Sequence, residues 1–458
     1  MDATRALTLV LGATGPADNQ RAARPPLGWR TWNQFQGKIT QSVVEANMRV
    51  LADRSRHVDG VSTSLADLGY KDAGIDDGWQ ECGNYGPQHY RYHTGAGDPV
   101  VNSGKFPDLQ RLTALAHSLN LTAGWYGNAC GCVDGCCSDH CDSIECFAGD
   151  VNATLSLGFD SYKIDGCGAQ RDIALWAELF NHSSVARSWK GRSMMIENCH
   201  DGDGDSPGAN APSRDALGEL WCPFHTYRSS GDARPTFGSL LNNLNSTRAF
   251  ASANLSVPGC WAYPDMMELG VTNTGGRADC GPDGNETCGP LSFVEARTVF
   301  GAWAIVSSPL VLGFDLTDAA QLELHWSTIT NRDAIAVNQE YAGFSGSLLT
   351  QSAVLTRFTA CDWAAGVSCE WPSSMVWYKP LGRRDARRSV MALLLMNNAN
   401  QPAKLSVEWA AVPGLSGHRS CTVFDVWQRR SLGPHAMNFT AEAVAPRDSV
   451  FVTLSDCI

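Results

Sequence analysis

No more than two basic residues stand in succession anywhere in the chain, and Asp plus Glu outnumber Lys plus Arg by 47 to 35, a net charge of −12. A cationic face for nucleic acid or for an anionic membrane surface is therefore missing. Apolar runs of the roughly 20 residues that span a bilayer are missing too. The stretch around Ala304 to Leu312 is broken by Ser307, Ser308 and Pro309, and Val390 to Met396 is only as long as a core strand. There is no internal repeat, no low-complexity tract, no Walker loop, no G-x-G-x-x-G fingerprint and no G-x-S-x-G elbow. Nucleotide use and serine hydrolysis thus have no positive support. Charged residues make up 18% of the chain against 43% hydrophobic, which supplies large cores and excludes disorder for most of it.

Cysteine, by contrast, is abundant. The 17 cysteines are too many for ordinary reduced packing and come in close clusters. Asn-x-Ser/Thr sequons accompany them at Asn120, Asn152, Asn181, Asn245, Asn254, Asn285 and Asn438. Together these features place the protein on the secretory route, with the odd count leaving at least one thiol free or paired outside the chain. At the N-terminus, Arg5 followed by Ala6 to Ala13 has the form of a short signal-peptide core, with Asp2 and the brevity of the run against that reading.

At 458 residues the chain is long enough for two domains. Up to about residue 340, short apolar runs ending in Asp, Trp or Gly alternate with amphipathic stretches. Strands are expected at Gly28 to Trp29, Ala73 to Asp76, Thr122 to Tyr126, Ser161 to Asp165, Ser193 to Glu197, Gly218 to Trp221, Val257 to Trp261 and Pro309 to Leu312. Helices are expected at Ser42 to Arg54, Leu109 to Leu119, Ile173 to Phe180, Phe237 to Ala251 and Phe293 to Val306. Eight strands with helical crossovers predict a (β/α)8 TIM barrel of class α/β over 25–342, preceded by an N-terminal extension, 1–24. From about Ser345 strands alone remain, at Ser389 to Asn397, Lys404 to Trp409, Cys421 to Trp427 and Ser449 to Leu454, which predicts a C-terminal antiparallel β-sandwich over 343–458. The Gly-rich stretch Asp201 to Ser213 reads as a loop.

Active sites of such barrels lie at the C-terminal ends of the strands, so polar residues there matter most. Lys163 and Asp165 stand two apart on one strand, hence on the same side, and a nearby ammonium keeps an aspartate ionised and able to act as a nucleophile. The plain alternative is an ion pair in a strand-end turn. Asp76 and Asp77 beside Trp79 offer acceptors for sugar hydroxyls and an indole for the sugar C–H face, or else a solvated turn with one Asp capping a helix. Trp29 and Trp32 form one more aromatic wall, or simply core. Asp232 is a second carboxylate with Arg228 nearby, or the N-cap of the helix that begins near Pro235. The cluster Cys130, Cys132, Cys136, Cys137, Cys141 and Cys146, with His140 inside it, has to be weighed as a zinc site. It lacks a clean pair of C-x2-C knuckles, and a disulfide-stapled loop accounts better for it.

Taken in order, these segments resemble glycoside hydrolase family 27, the α-galactosidase and α-N-acetylgalactosaminidase family. The resemblance runs through Pro26-Leu27-Gly28-Trp29-Arg30-Thr31-Trp32-Asn33, Ile75-Asp76-Asp77-Gly78-Trp79, Gly104-Lys105-Phe106-Pro107, Gly124-Trp125-Tyr126, Lys163-Ile164-Asp165-Gly166-Cys167 and Arg228 to Asp232. It continues through Pro264-Asp265-Met266, Trp303-Ala304-Ile305 to Pro309-Leu310 and Ala336-Val337-Asn338-Gln339 into the β-rich tail. The resemblance implies a retaining exo-glycosidase that needs no cofactor and no metal. It implies Asp165 as nucleophile and Asp232 as acid/base. Asp76, Asp77, Lys163 and Arg228 would be the ligands of sugar hydroxyls, with Trp32, Tyr126, Asp265 and Met266 completing the pocket wall.

Three segments depart from the family pattern. Gly78 stands where Asp-Asp-Cys-Trp is usual, Ala262-Tyr263-Pro264-Asp265 replaces Asn-Asp-Pro-Asp, and Ile196-Glu197-Asn198-Cys199-His200 replaces the Cys-Glu-Trp of the loop that reads sugar C2. Glu197, Asn198 and His200 all remain open for that last role. The expected substrate is a carbohydrate with a terminal α-linked galactose, the expected compartment extracellular, lysosomal or vacuolar, and the assembly to consider a homodimer. Neither nucleic acid nor membrane is expected as a partner. N-acetylgalactosaminidase, β-L-arabinopyranosidase and isomalto-dextranase activities, an inactive carbohydrate-binding relative and a cysteine-cluster metalloprotein are the rivals. Cysteines following neighbouring strand ends meet at a barrel mouth, which predicts a bridge from the Cys130 to Cys146 loop to Cys167 and another from Cys199 to Cys222.

Overall fold

The computed structural model describes residues 21–129, 141, 143–168, 172–182, 194–199, 210–273, 290–358, 361, 368–382 and 390–458. The zinc candidate's Cys130 to Cys137 with His140, the loop from 201, and His200 lie outside them, as does the possible signal segment.

Eight strands build the first domain: β1 (Leu27–Arg30), β2 (Tyr70–Gly74), β3 (Thr122–Ala129), β4 (Ser161–Gly168), β5 (Met195–Cys199), β6 (Thr226–Arg228), β7 (Trp261–Tyr263) and β8 (Leu310–Leu312). They pair in parallel in the order β7-β6-β5-β4-β3-β2-β1-β8. A further parallel bridge joins Met267, beyond the end of β7, to Leu312 of β8, with Met267 N donating to Val311 O at 2.9 Å, so the curled sheet closes on itself. This is the (β/α)8 barrel that the alternation of strands and helices predicts.

The crossovers form for local reasons. Thr40 caps helix Gln41–Ala52, which buries Val44, Met48 and Leu51 at the spacing of one helical face. Asp108 caps Leu109–Ser118, which buries Leu109, Leu112 and Ala116. Ser292 and Glu295 form a capping box at the head of Phe293–Ile305.

Two expected strands are displaced. Leu220–Trp221 pairs antiparallel with Ser213–Arg214 outside the barrel, and the sixth barrel strand is instead the fully buried Thr226–Arg228. Its polar ends hid it, because an apolar-run criterion passes over residues whose polar groups face a catalytic interior. The seventh strand begins at Trp261 rather than Val257, since Gly259 at φ 85° turns the chain back so that Val257 bridges Cys260. Four α-helices of the described residues were not anticipated: the single turn Trp32–Phe35, Ile144–Ser156, obscured by the neighbouring cysteines, and Ala319–Ile329 and Arg332–Gln339, despite cap residues Asp318 and Asn331.

The second domain carries a six-stranded antiparallel sheet in the order Ser347–Gln351, Ser374–Pro380, Met391–Asn397, Ser449–Ser455, Ser420–Asp425, Arg430–Ala436, together with a pair, Ala403–Glu408 and Asn438–Val444. Met391–Asn397 is buried on both faces. Ala392, Leu394 and Met396 join the barrel-side core, while Met391, Leu393 and Leu395 join a core of the sandwich itself. Helix Phe293–Ile305 lies at this seam, where a Cβ on Gly301 would come within 2.9 Å of Trp427 and 3.0 Å of Leu394. No helix of the described residues is long and apolar enough to cross a membrane.

Candidate active site

At the C-terminal ends of the barrel strands lies a cavity of about 200 Å³ lined by Trp32, Asp76, Tyr126, Lys163, Asp165, Gly166, Cys199, Arg228, Asp232, Asp265 and Met266. A larger hollow of about 390 Å³, bordered by Arg21, Lys71 and Asp160, opens at the strands' N-terminal ends. In this fold that end serves stability rather than chemistry.

Strand β4 aims Lys163 and Asp165 into the cavity together, as their spacing of two requires. Lys163 Nζ donates to Asp76 Oδ2 at 2.9 Å, and both side chains are almost wholly buried. Burial pulls the lysine's pKa down, but Asp76 with Cys199, Asp165 and Glu197 more than offsets it, so Lys163 remains an ammonium. Asp76 is held in turn by Thr31, whose Oγ1 accepts from Asp76 N at 2.9 Å.

Asp165 accepts from two fixed donors. Gly166 N reaches Oδ1 at 2.6 Å, and the Tyr126 hydroxyl donates to Oδ2 through a short contact. Asn128 Nδ2 donates to the same hydroxyl at 2.9 Å and orients it. Burial first, then the negative charge of Asp165, pushes Tyr126 well above the ordinary phenol range, so it stays a donor.

Across the cavity, Arg228 at the end of β6 spreads its guanidinium over several acceptors. Nη2 donates to Asp232 Oδ1 at 3.0 Å and to Ser230 O at 3.3 Å, while Nη1 meets Asp265 Oδ1 at 3.2 Å and Cys199 Sγ at 3.4 Å. Asp265 also accepts from Ala233 N and Met266 N, both at 2.7 Å, and sits at φ 86°, a left-handed conformation that aspartate tolerates better than most residues. The Ala233 bond fastens the segment carrying Asp232 to the end of β7. Asp232 itself is 54% exposed. Burial raises its pKa, but the Arg228 charge, Lys163 and the Arg228 hydrogen bond outweigh this and hold it below the usual carboxylate value. It does not cap the following helix; Thr236 does, accepting from Ser239 N.

Nine of the ten residues singled out from the sequence line this cavity. The tenth, Asp77, does not. Its Oδ1 accepts from Gly78 N at 2.8 Å and Gln80 Nε2 at 2.7 Å and braces that turn, while its charge still acts on the Tyr126 hydroxyl. Gly78 belongs to the same brace. At φ 101° and with a Cβ position only 2.7 Å from Gly37 Cα, it leaves no room for the cysteine usual there. Trp79 is core rather than sugar platform, its Nε1 donating to Tyr126 O at 3.0 Å, and Trp29 is likewise fully buried. Glu197 is taken by Arg30 at 2.9 Å, and Asn198 donates to Asn210 O at 2.9 Å. Neither lines the cavity; Cys199 does, and nothing in the sequence distinguished it from a disulfide cysteine. The Arg30–Glu197 pair was missed as well, although a cation in a strand facing a barrel interior demands a buried carboxylate partner.

One expected bridge is corrected. Cys222 pairs with Cys260, not with Cys199, whose thiol is free. Cys146 pairs with Cys141, while the expected bridge from the Cys130 to Cys146 loop to Cys167 falls on side chains outside the described residues. Cys361–Cys369 and Cys421–Cys457 staple the second domain. His93 lies against Cys141 and Cys146, but joined sulfurs offer no thiolate and its Nε2 meets Asp150 Oδ1 at 3.1 Å.

Comparison with known proteins agrees with this geometry. Residues 24–340 match the family model described as alpha galactosidase A, and residues 373–454 match the alpha galactosidase C-terminal beta sandwich domain. An alpha-galactosidase of Oryza sativa subsp. japonica is 26% identical, the match covering 96% of this chain and 86% of that protein. A probable alpha-galactosidase of Dictyostelium discoideum is 25% identical, covering 99% and 98%. Among solved structures, alpha-galactosidase I from Mortierella vinacea superposes with a TM-score of 0.68 at 22% identity, covering 96% of this chain and 99% of that one. A family 27 β-L-arabinopyranosidase from Geobacillus stearothermophilus also gives 0.68, at 17% identity over 95% and 97%. At such identities these two establish the fold.

Proposed function

The chain belongs to the alpha galactosidase A family of glycoside hydrolases, and from that premise we propose that it is a retaining exo-α-galactosidase whose nucleophile is Asp165 and whose acid/base is Asp232. The observation that carries the reading is a carboxylate pair in one small cavity, with one member clamped by two donors and the other exposed beside an arginine. A cavity of about 200 Å³ is below the range of drug-sized sites and suits one sugar ring, hence removal of a terminal residue.

In the first step the Asp165 carboxylate attacks the anomeric carbon while a protonated Asp232 gives its proton to the departing oxygen. In the second, ionised Asp232 takes a proton from water, and the resulting attack at the same carbon releases Asp165. Tyr126 and Gly166 N hold Asp165 in line. Trp32 walls the ring, and Arg228 presents donors beside Asp232.

Asp76 and Lys163 form an acceptor and a donor side by side for adjacent hydroxyls, with the Oδ1 of Asp77 engaged in the turn that follows. A 4-epimer that leaves one of them unpaired costs about 1 to 3 kcal/mol, roughly tenfold to a hundredfold in selectivity. Among the described lining residues Arg228 presents a charged fork rather than an apolar recess for an acetamido methyl, which favours a 2-hydroxyl. The disulfides support an oxidising compartment of the secretory route. The test is kcat/KM on the p-nitrophenyl α-galactoside, α-N-acetylgalactosaminide, α-glucoside and β-L-arabinopyranoside. The first is expected to win, and another winner would replace the glycone while leaving the two-carboxylate mechanism in place.

A further inference from the structure

We propose that Cys199 is a modification site inside the glycone pocket, a free thiol through which small uncharged thiol-reactive molecules close the site to sugar. The assignment of the cavity to the glycone rests on the function proposed above; the free thiol and its position do not.

Three observations carry it. Cys199 ends β5, where the parallel register sets it directly beside Asp165 of β4. Its thiol has no disulfide partner, and Cys222, which precedes β6, is bound to Cys260. It lines the cavity together with Lys163 and Arg228, two polar side chains that are each 5% exposed, and Arg228 Nη1 lies 3.4 Å from its sulfur. A substituent on that sulfur therefore occupies sugar space and separates it from the guanidinium that holds Asp232 and Asp265. Burial raises the thiol well above its usual pKa against the pull of Arg228 and Lys163, so reaction begins from the neutral thiol and calls for a small reagent in excess.

Methyl methanethiosulfonate is the probe. The thiol proton leaves to solvent, the sulfur attacks the sulfenyl sulfur of the reagent, and the new S–S bond forms as the bond to the sulfonyl group breaks and methanesulfinate departs. Treated protein is expected to lose at least tenfold of its hydrolytic activity in step with one methylthio group on the Cys199 peptide, and excess galactose is expected to slow both. In Cys199→Ser the ratio of treated to untreated activity should stay near one, whatever its absolute level. Full activity with Cys199 labelled would overturn the proposal, as would a Cys199 that reacts only after denaturation or is found in a disulfide by non-reducing peptide mapping. Labelling and inactivation without protection by galactose would leave the thiol assignment standing and overturn the glycone reading instead.

Discussion

The barrel mouth and the seam between the domains both bury charge, and they handle it in opposite ways. At the seam each charge has its match: Arg297 meets Asp448 at 2.6 Å, Arg447 meets Glu295 at 2.8 Å, and Lys379 Nζ donates to the carbonyls of Val337 and Asn338 at the end of helix Arg332–Gln339. At the mouth, the cavity is lined by the carboxylates Asp76, Asp165, Asp232 and Asp265 against the cations Lys163 and Arg228. At the seam the carboxylates of Asp448 and Glu295 are neutralised one for one by guanidinium groups. The mouth sets four carboxylates against two cations, so acceptors are in excess even after its internal pairs are made, a set that the hydroxyls of a sugar ring suit on the function proposed above.

Substitutions at the mouth are expected to change chemistry and those at the seam stability. The largest effect should come from Asp165→Asn, which removes the attacking oxygen and is expected to lower kcat on the p-nitrophenyl α-galactoside by roughly a thousandfold or more. A 2-deoxy-2-fluoro glycosyl fluoride should trap the peptide containing Asp165 in the wild type; a trapped peptide from elsewhere would overturn the assignment. Asp232→Ala should cost about a hundredfold to ten-thousandfold on substrates with poor leaving groups. It should spare the first step on activated ones, with azide restoring turnover; equal loss of both steps would make Asp232 a positioning residue.

The seam supplies the contrasting case. Leu394→Ala, within the strand buried on both faces, should destabilise the protein by about 2 to 5 kcal/mol while KM stays unchanged. A large KM shift without a fall in Tm would mean that the seam communicates with the site.

Smaller effects concern pH. Arg228 holds Asp232 ionised in the free enzyme, so the protonated acid needed for the first step becomes scarce as pH rises, and the alkaline limb of kcat/KM should lie low. Arg228→Ala should move that limb to higher pH even as the rate falls; an unmoved limb would assign it to another group. Lys379 is lowered from 10.5 to about 7, chiefly by burial, with Glu340 opposing. Between those values the unfolded chain holds more protons than the folded one. Its contribution to stability is therefore present in full above 10.5 and lost as pH falls through about 7. Lys379→Met should flatten the slope of unfolding free energy across that window, measured by denaturant titration against the wild type.

Much of the architecture was legible in one dimension because it rests on short periods. A spacing of two puts Lys163 and Asp165 on one side of a strand, and a spacing near 3.6 gives helix Gln41–Ala52 its buried face. The sixth strand was not legible, since Thr226–Arg228 is short, polar-ended and buried because of what it faces rather than what it contains. Asp232 had two local readings of equal merit until Thr236 proved to be the cap.

By itself the sequence determined the alternation of strands and helices, the change to an all-β tail, and the order of strand-end motifs that places carboxylates at a barrel mouth. Each of these is written in neighbouring residues. Tertiary structure alone decided that one oxygen of Asp77 is engaged by Gly78 and Gln80, that Glu197 is spent on Arg30, and that Cys222 bonds Cys260 while Cys199 stays free in the cavity. Those outcomes depend on which strand ends come within a few ångströms of one another, and a partner 38 residues away or on the far side of the barrel leaves no mark on the residues beside it.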